Sequence, residues 1–327
     1  MTEVPAISPL GKPILGRMGN GIFWMYRYLE RAENTARLLA AGHRMALTRS
    51  DVEASREWQS VLTTLGLRAA YEEHYDDFLS EHVCDFVLRS KNNPKNVLSM
   101  FERARSSARA CRSAITLEVW EAINEGWMTL QELLARPVRN ATLNDVLGAI
   151  RRESTLARGA THGTMMRNEI YSFGRAGTFL ERADNTARIL DVKYYPLLPS
   201  VAHVGTLLDS GQWDNVLRSL SGELAYRSIN RSRIDARSIA DFLILDVRFP
   251  RSLAYCAAAM DENLTELARM HGKEGGAQDA ARKVRQRLSV KSVEDIFEQG
   301  LHEFLLEFIA ANASVASAIA EDYRFIA

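Results

Sequence analysis

Lysine is scarce in this chain: only seven of its 41 basic residues are Lys, and the other 34 are Arg. Arg forms fixed, bidentate ion pairs with carboxylates, so the bias favours placed charges, although a genome rich in G and C produces it too. An excess of either sign is also missing. Lys plus Arg and Asp plus Glu each total 41, so no overall cationic field gathers nucleic acid or an anionic membrane surface. The one basic run, Arg282 to Arg287, has no interleaved aromatics and reads as a solvated helix face, so no nucleic-acid partner is expected.

Cysteine is sparse and unpatterned. Cys84, Cys111 and Cys256 make no C-x-x-C pair and sit among apolar neighbours, which excludes a disulfide framework and points to buried, reduced thiols in a cytoplasmic protein. Residues 1–14 carry no basic start followed by an apolar stretch, so no secretory signal is read there, and the segment is expected to be a flexible tail. No run of about 18 apolar residues occurs. The richest stretch, Phe304 to Ala320, is interrupted by Glu307 and Asn312, and no membrane span is expected.

Alternating β-type patterns are almost absent, and apolar residues recur every three or four positions. Pro94, Pro137, Pro196, Pro199 and Pro250 fall between the periodic stretches. The pattern predicts helices over 20–48, 51–66, 71–90, 94–112, 114–135, 142–165, 168–195, 212–228, 235–247, 250–271, 277–289 and 292–324. Asn93 with Pro94, Thr142 and Ser292 read as helix starts. Gly272 with Gly275 and Gly276 marks a break before a terminal helical hairpin. The fold class is all-α, a large helical bundle.

Recognisable catalytic motifs are missing. There is no G-x-S-x-G, no H-E-x-x-H, no Glu-x-x-His for a di-iron bundle and no adenine-nucleotide loop. No metal and no cofactor is therefore predicted. Gly16-Arg-Met-Gly-Asn-Gly21 reads as a loop and cap before the first long helix. Its backbone N–H groups could receive an anion, which makes Arg17 and Asn20 candidate binding residues. His162, set among small residues, is a candidate for lining a cavity.

What is present is an internal repeat. Tyr28-Leu-Glu-Arg-Ala-Glu-Asn-Thr-Ala-Arg-Leu-Leu39 returns 151 residues later as Phe179-Leu-Glu-Arg-Ala-Asp-Asn-Thr-Ala-Arg-Ile-Leu190, with nine of the eleven positions from Leu29 identical. Trp58-Gln-Ser-Val-Leu62 is echoed by Trp213-Asp-Asn-Val-Leu217, and Asp85-Phe-Val-Leu88 by Asp241-Phe-Leu-Ile244. These matches imply two helical units, 15–163 and 164–327, sharing one core.

Packing alone keeps apolar character, yet here polar identities recur. On a helix, Glu30, Asn34 and Arg37 form one stripe, repeated by Glu181, Asn185 and Arg188. Exposed i, i+4 pairs contribute only about 0.3–0.5 kcal/mol, too little to preserve both stripes, so burial or a ligand is required. In a buried network the two Glu-Arg helices would pack near a pseudo-twofold, with Glu30 meeting Arg188 or Glu181 meeting Arg37. As a site, Glu30 or Glu181 would be a general base and Arg37 and Arg188 would hold a carboxylate or phosphate. Opposite Phe23 and Tyr26 the second copy carries Gly174 and Gly177, so the rings are expected to fill the glycine groove.

The segment from Leu15 to Leu39, with Glu30-Arg31 and its copy Glu181-Arg182, resembles the opening of the alpha-E family, named for its Glu-Arg motif. The resemblance extends over the chain after about residue 15. It implies a place beside a circularly permuted ATP-grasp protein and a transglutaminase-like cysteine protease, which are encoded next to such proteins. The role so implied is that of an accessory component in ATP-dependent peptide or amide-bond modification, binding the ligase or a peptide or amino-acid substrate. Arg31 and Arg182 join Arg17, Asn20, Asn34, Arg37, Asn185 and Arg188 as candidate binding residues. An enzyme built on the paired Glu and Arg residues, and a purely structural scaffold, are the two other readings.

Overall fold

The computed structural model describes residues 16–194, 207–230, 234–272 and 275–325. The expected tail at 1–14 and the prolines at 196 and 199 lie outside the described residues. Fifteen helices and no strand occur among the described residues. The first half of the chain gives α1 (Gly16–Ala46), α2 (Asp51–Thr64), α3 (Arg68–Glu72), α4 (Ser80–Leu88), α5 (Val97–Ala110), α6 (Leu117–Leu133) and α7 (Asn140–Thr164). The second gives α8 (Glu169–Tyr194), α9 (Leu207–Ser219), α10 (Glu223–Asn230), α11 (Ala236–Ile244), α12 (Leu253–His271), α13 (Gly276–Ser289), α14 (Val293–Gln299) and α15 (Leu301–Asp322).

Three expected helices are each two. The stretch 71–90 opens after α3, where Tyr71 stacks on Tyr75 and Phe78 at 4.7 and 5.5 Å between ring centres. The stretch 212–228 breaks at Ser221, whose φ of 54° is left-handed, and 292–324 breaks at Gly300, with φ 99°. A left-handed residue cannot continue a right-handed helix. Ser292 opens α14 as expected and closes a capping box with Asp295, whereas Asn96, not Asn93, caps α5. Asn93 instead donates to the Phe86 carbonyl. The α7 helix begins at Asn140, two residues ahead of Thr142.

Gly16 to Gly21 is not a loop. It is the opening of α1, and its glycines serve close packing: the Phe173 and Phe325 rings approach Gly19, and the Cys111 thiol approaches Gly21. The N-terminal N–H groups of α1 therefore lie well away from Glu30. Arg17 is exposed and Asn20 half-buried, about 20 and 15 Å before Glu30 at 1.5 Å per residue.

The centre of the bundle is the pair α1 and α8. Around α1 pack α2, α5, α7 and α9, and around α8 pack α12 and α15. One apolar cluster runs from Ile22 to Ile319 and includes the buried Trp58 and Trp213. Alone, α15 is long and apolar enough to cross a membrane, but it turns Phe304, Leu305, Phe308, Val315 and Ile319 into this cluster. All three cysteines are free and buried.

Contacts climb together along α1 and α8, from Gly19 with Phe173 through Phe23 with Gly177 to Glu30 with Arg182. The helices therefore run parallel. The Tyr26 ring covers Gly174, where an added Cβ would lie 2.6 Å from it. Its hydroxyl donates to Thr161, 2.5 Å away on α7, because Thr161 spends its own hydrogen on the Ala157 carbonyl. The second expected ring contact is replaced by backbone: a Cβ at Gly177 would run into the Phe23 carbonyl. Helix axes this close leave no room for a side chain. Gly177→Leu is expected to lower stability by about 1–3 kcal/mol in urea unfolding. Gly148 on α7, whose Cβ direction is open, is the control, and Gly148→Ala should match the wild type or gain up to about 1 kcal/mol.

Candidate functional site

Glu30 and Arg31 are neighbours in sequence and lie about 100° apart around α1, so they straddle the line of contact with α8. A parallel helix at the same height, bearing the same pair, presents it in reverse order. The result is reciprocal pairing. Arg182 reaches Glu30 through Nε at 2.9 Å and Nη2 at 2.8 Å. Arg31 reaches Glu181 through Nε at 2.5 Å and Nη2 at 2.8 Å. Both are two-point forks, the strongest neutralisation a carboxylate can receive from one side chain.

Further arginines close the site. Arg27, one turn ahead of Arg31, donates to Glu181 at 3.0 Å and lies 4.4 Å over the Trp24 ring. On the other face Arg251, from the turn before α12, enters between Glu30, Glu33 and Asn34, with donor distances of 3.0, 3.0 and 2.7 Å. Arg158 of α7 reaches Glu33 at 2.5 Å and Glu30 at 3.5 Å. The turn carrying Arg251 is clasped in return: Thr186 donates to the Arg251 carbonyl at 2.8 Å and Arg182 to the Pro250 carbonyl at 3.3 Å. Four segments far apart in sequence thus meet at one buried knot.

Glu30, Glu33 and Glu181 are buried, as are Asn34, Arg182 and Arg251. Burial by itself would raise the Glu30 carboxyl, but Arg182, Arg251 and Arg158 more than offset it and hold Glu30 far below the usual 4.5. Burial and the neighbouring Glu30 charge push Glu33 up, while Arg251 and Arg158 bring it net down. Glu181 is lowered too, because Arg31 and Arg27 outweigh its burial. These are carboxylates locked in the charged state and poorly suited to take a proton.

Arg37 and Arg188, expected opposite Glu181 and Glu30, are elsewhere. Arg37 pairs along its own helix with Glu33 at 2.6 Å and also contacts Ser221. Arg188 is exposed and pairs with Asp184 at 2.7 Å. In parallel helices only residues at one height meet, and Arg188 lies six residues, about 9 Å, beyond Arg182. Asn34 accepts from Arg251, whereas Asn185 stays half-buried at the periphery. The structure thus brings together Glu30, Arg31, Asn34, Glu181 and Arg182, leaves Arg37 at the margin, and keeps Arg17, Asn20, Asn185 and Arg188 apart from the knot.

Arg27, Arg158 and Arg251 escape the motif reading. Arg251 had a faint signal: Pro250-Arg-Ser252 stands 156 residues after Pro94-Lys-Asn96, the same spacing as Asp85 and Asp241. Asn96 and Ser252 cap α5 and α12, yet Lys95 is exposed where Arg251 is buried. Among the described residues, no group of three or more His, Cys, Asp or Glu is placed to hold a metal ion.

Glu30→Gln leaves three guanidiniums short of a carboxylate and is expected to cost about 3–5 kcal/mol, while Asp184→Asn at the exposed pair should cost no more than about 0.5 kcal/mol. The lowered carboxyls stabilise the fold above their unfolded value near 4.5 and lose that contribution as the pH falls below it. The urea midpoint should therefore decline steadily from about pH 4.5 downward. Glu30→Gln should flatten that decline.

The profile of Alpha-E, described as a predicted alpha-helical domain with a conserved ER motif, matches residues 14–324. An uncharacterised protein of Mycobacterium bovis is 21% identical over 94% of this chain and 37% of its own length. Two uncharacterised proteins of Mycobacterium tuberculosis are 21% and 20% identical over the same shares. The chain thus spans little more than a third of the length of these relatives. No solved structure matches it. With the Glu-Arg pair repeated on α1 and α8 and the profile running across nearly every residue, the chain belongs to the Alpha-E family.

Proposed function

We propose that this chain is a non-catalytic helical partner that works with a circularly permuted ATP-grasp ligase in ATP-dependent peptide or amide-bond modification, binding the ligase or its substrate. The observation that carries this reading is the state of the knot. Each of its carboxylates is buried and held by at least two guanidiniums. A group so held fixes helix positions, and it gives little leverage over a proton on a substrate.

Two further points support an accessory role. Neither Glu30 nor Glu181 lines any of the cavities described for the molecule. In the mycobacterial relatives the matched region is 37% of a longer chain, the arrangement of a module that serves beside other sequence. The ATP-grasp partner itself comes from the family resemblance.

The test mixes this protein with the circularly permuted ATP-grasp ligase of its own organism. A stable complex in size-exclusion chromatography, or a change in the ligase's ATP turnover with peptide present, is the expected result. Neither appearing at micromolar concentrations of both proteins overturns the reading. Amide-bond chemistry by this chain without ligase, lost in Glu181→Gln while the fold survives, would establish the enzyme reading in its place.

A further inference from the structure

A second set of charged groups lies away from the knot, around a cavity of about 630 Å³ between α8, α12 and α13. That size is typical of small-molecule sites, which run from about 300 to 1,000 Å³. One wall carries Arg167, Tyr171 and Arg175, and the facing wall carries Tyr255, Asp261 and Glu262.

Arg175 is the unusual member. Its guanidinium lies 4.3 Å over the Phe179 ring and its Nη1 meets the His162 Nε2 at 2.9 Å. Among the described residues no carboxylate pairs with it. Among the described residues Arg167, beside it, bonds only main-chain carbonyls, those of His162 and Met165, and it covers the Tyr171 ring at 4.0 Å. Arg175 is half-buried and Arg167 exposed, so the two guanidiniums offer an anion a partly shielded face with no carboxylate competing for it.

The hydrogen bonds also fix a donor. Arg has no acceptor atom, so His162 must accept at Nε2, which puts its proton on Nδ1. Burial and the flanking Arg175 and Arg167 hold His162 below its usual value, in agreement with this neutral form. Nδ1 then donates to the Tyr171 oxygen, 3.1 Å away, and the Tyr171 hydroxyl hydrogen is left for another acceptor. Across the cavity, Asp261 is buried, and only its Oδ2 is engaged, by Arg285 at 3.0 Å. Its Oδ1 is buried without a hydrogen-bond partner, a state that needs a donor to relieve it.

We infer that this cavity binds a small zwitterion, an amino acid or short peptide, with its carboxylate on Arg175, Arg167 and the Tyr171 hydroxyl and its ammonium group on the Asp261 side. The half-exposed Tyr255 ring offers an apolar seat for a side chain. The inference places the substrate-binding part of the proposed function and rests on that reading only for the choice of peptides. It needs no ligase, so binding to this chain alone separates its failure from failure of the ligase contact.

The experiment is calorimetric titration of the full chain with phenylalanine, phenylalanine amide, N-acetyl-phenylalanine, alanyl-phenylalanine and inorganic phosphate. Saturable binding of phenylalanine or the dipeptide is expected, weakened about tenfold or more when either charged end is blocked. Arg175→Gln should abolish binding and leave the melting temperature equal or higher, because a half-buried guanidinium without a carboxylate partner is removed. Arg188→Gln, on an exposed pair of the same helix, should bind as wild type. No saturable binding at millimolar ligand overturns the inference. So does binding that survives Arg175→Gln, or binding of phosphate without either zwitterion. A fall in melting temperature in Arg175→Gln with unchanged titrations assigns Arg175 to structure and also overturns it.

Discussion

The rest of the molecule depends on one constraint: two parallel helices, in contact along their length, each carry a Glu followed by an Arg at the same height. From that placement the cross-pairing of Glu30 with Arg182 and Arg31 with Glu181 follows without further adjustment. Such forks inside a bundle add less net stability than their number implies, because each ion has given up water. Their value lies in register. A shift of α8 along α1 by one turn would leave buried charges without partners, an error apolar side chains would tolerate more easily. Gly174 and Gly177 make the same demand in steric form, since the Tyr26 ring and the Phe23 carbonyl occupy the space their side chains would need.

The knot is also unbalanced. Glu30, Glu33 and Glu181 face Arg27, Arg31, Arg37, Arg158, Arg182 and Arg251, twice as many guanidiniums as carboxylates. The excess is tolerable because Arg31 and Arg158 keep 33% and 26% of their side chains exposed, so water screens part of it. Arg251 has no such outlet, and there the compensation is three acceptors on α1. A centre this heavily cross-tied suits a rigid scaffold. The cavity lined by Arg175 and Asp261 has the opposite character, with polar groups left unmatched at its walls.

Much of this was legible from residues alone. The all-α class, most helix spans and the weight of the Glu-Arg repeat follow from periodicity and from polar identity kept where packing needs only apolar character. Helix interruptions were less legible: Ser221-Gly222 is a weak turn signal inside a periodic stretch, and the Tyr71 stack forms only once the chain has turned. The Gly16 to Gly21 segment reads as a loop because glycine is a poor helix former. Its actual reason is the closeness of Phe173, Phe325 and Cys111, none of which is nearby in sequence.

The recurrence of Glu30-Arg31 as Glu181-Arg182 singles these four residues out, because solvent-exposed pairs are too weak to keep the same identities on two helices. Which charges meet follows from how α1 and α8 lie against each other. Stripe periodicity describes one helix at a time and sets Arg37 and Arg188 beside the glutamates. The direction and height of the partner helix select Arg31 and Arg182 instead, and the turn before α12 delivers Arg251 from more than two hundred residues away. Pairing across a core is a property of relative placement, and no local pattern along a chain contains it.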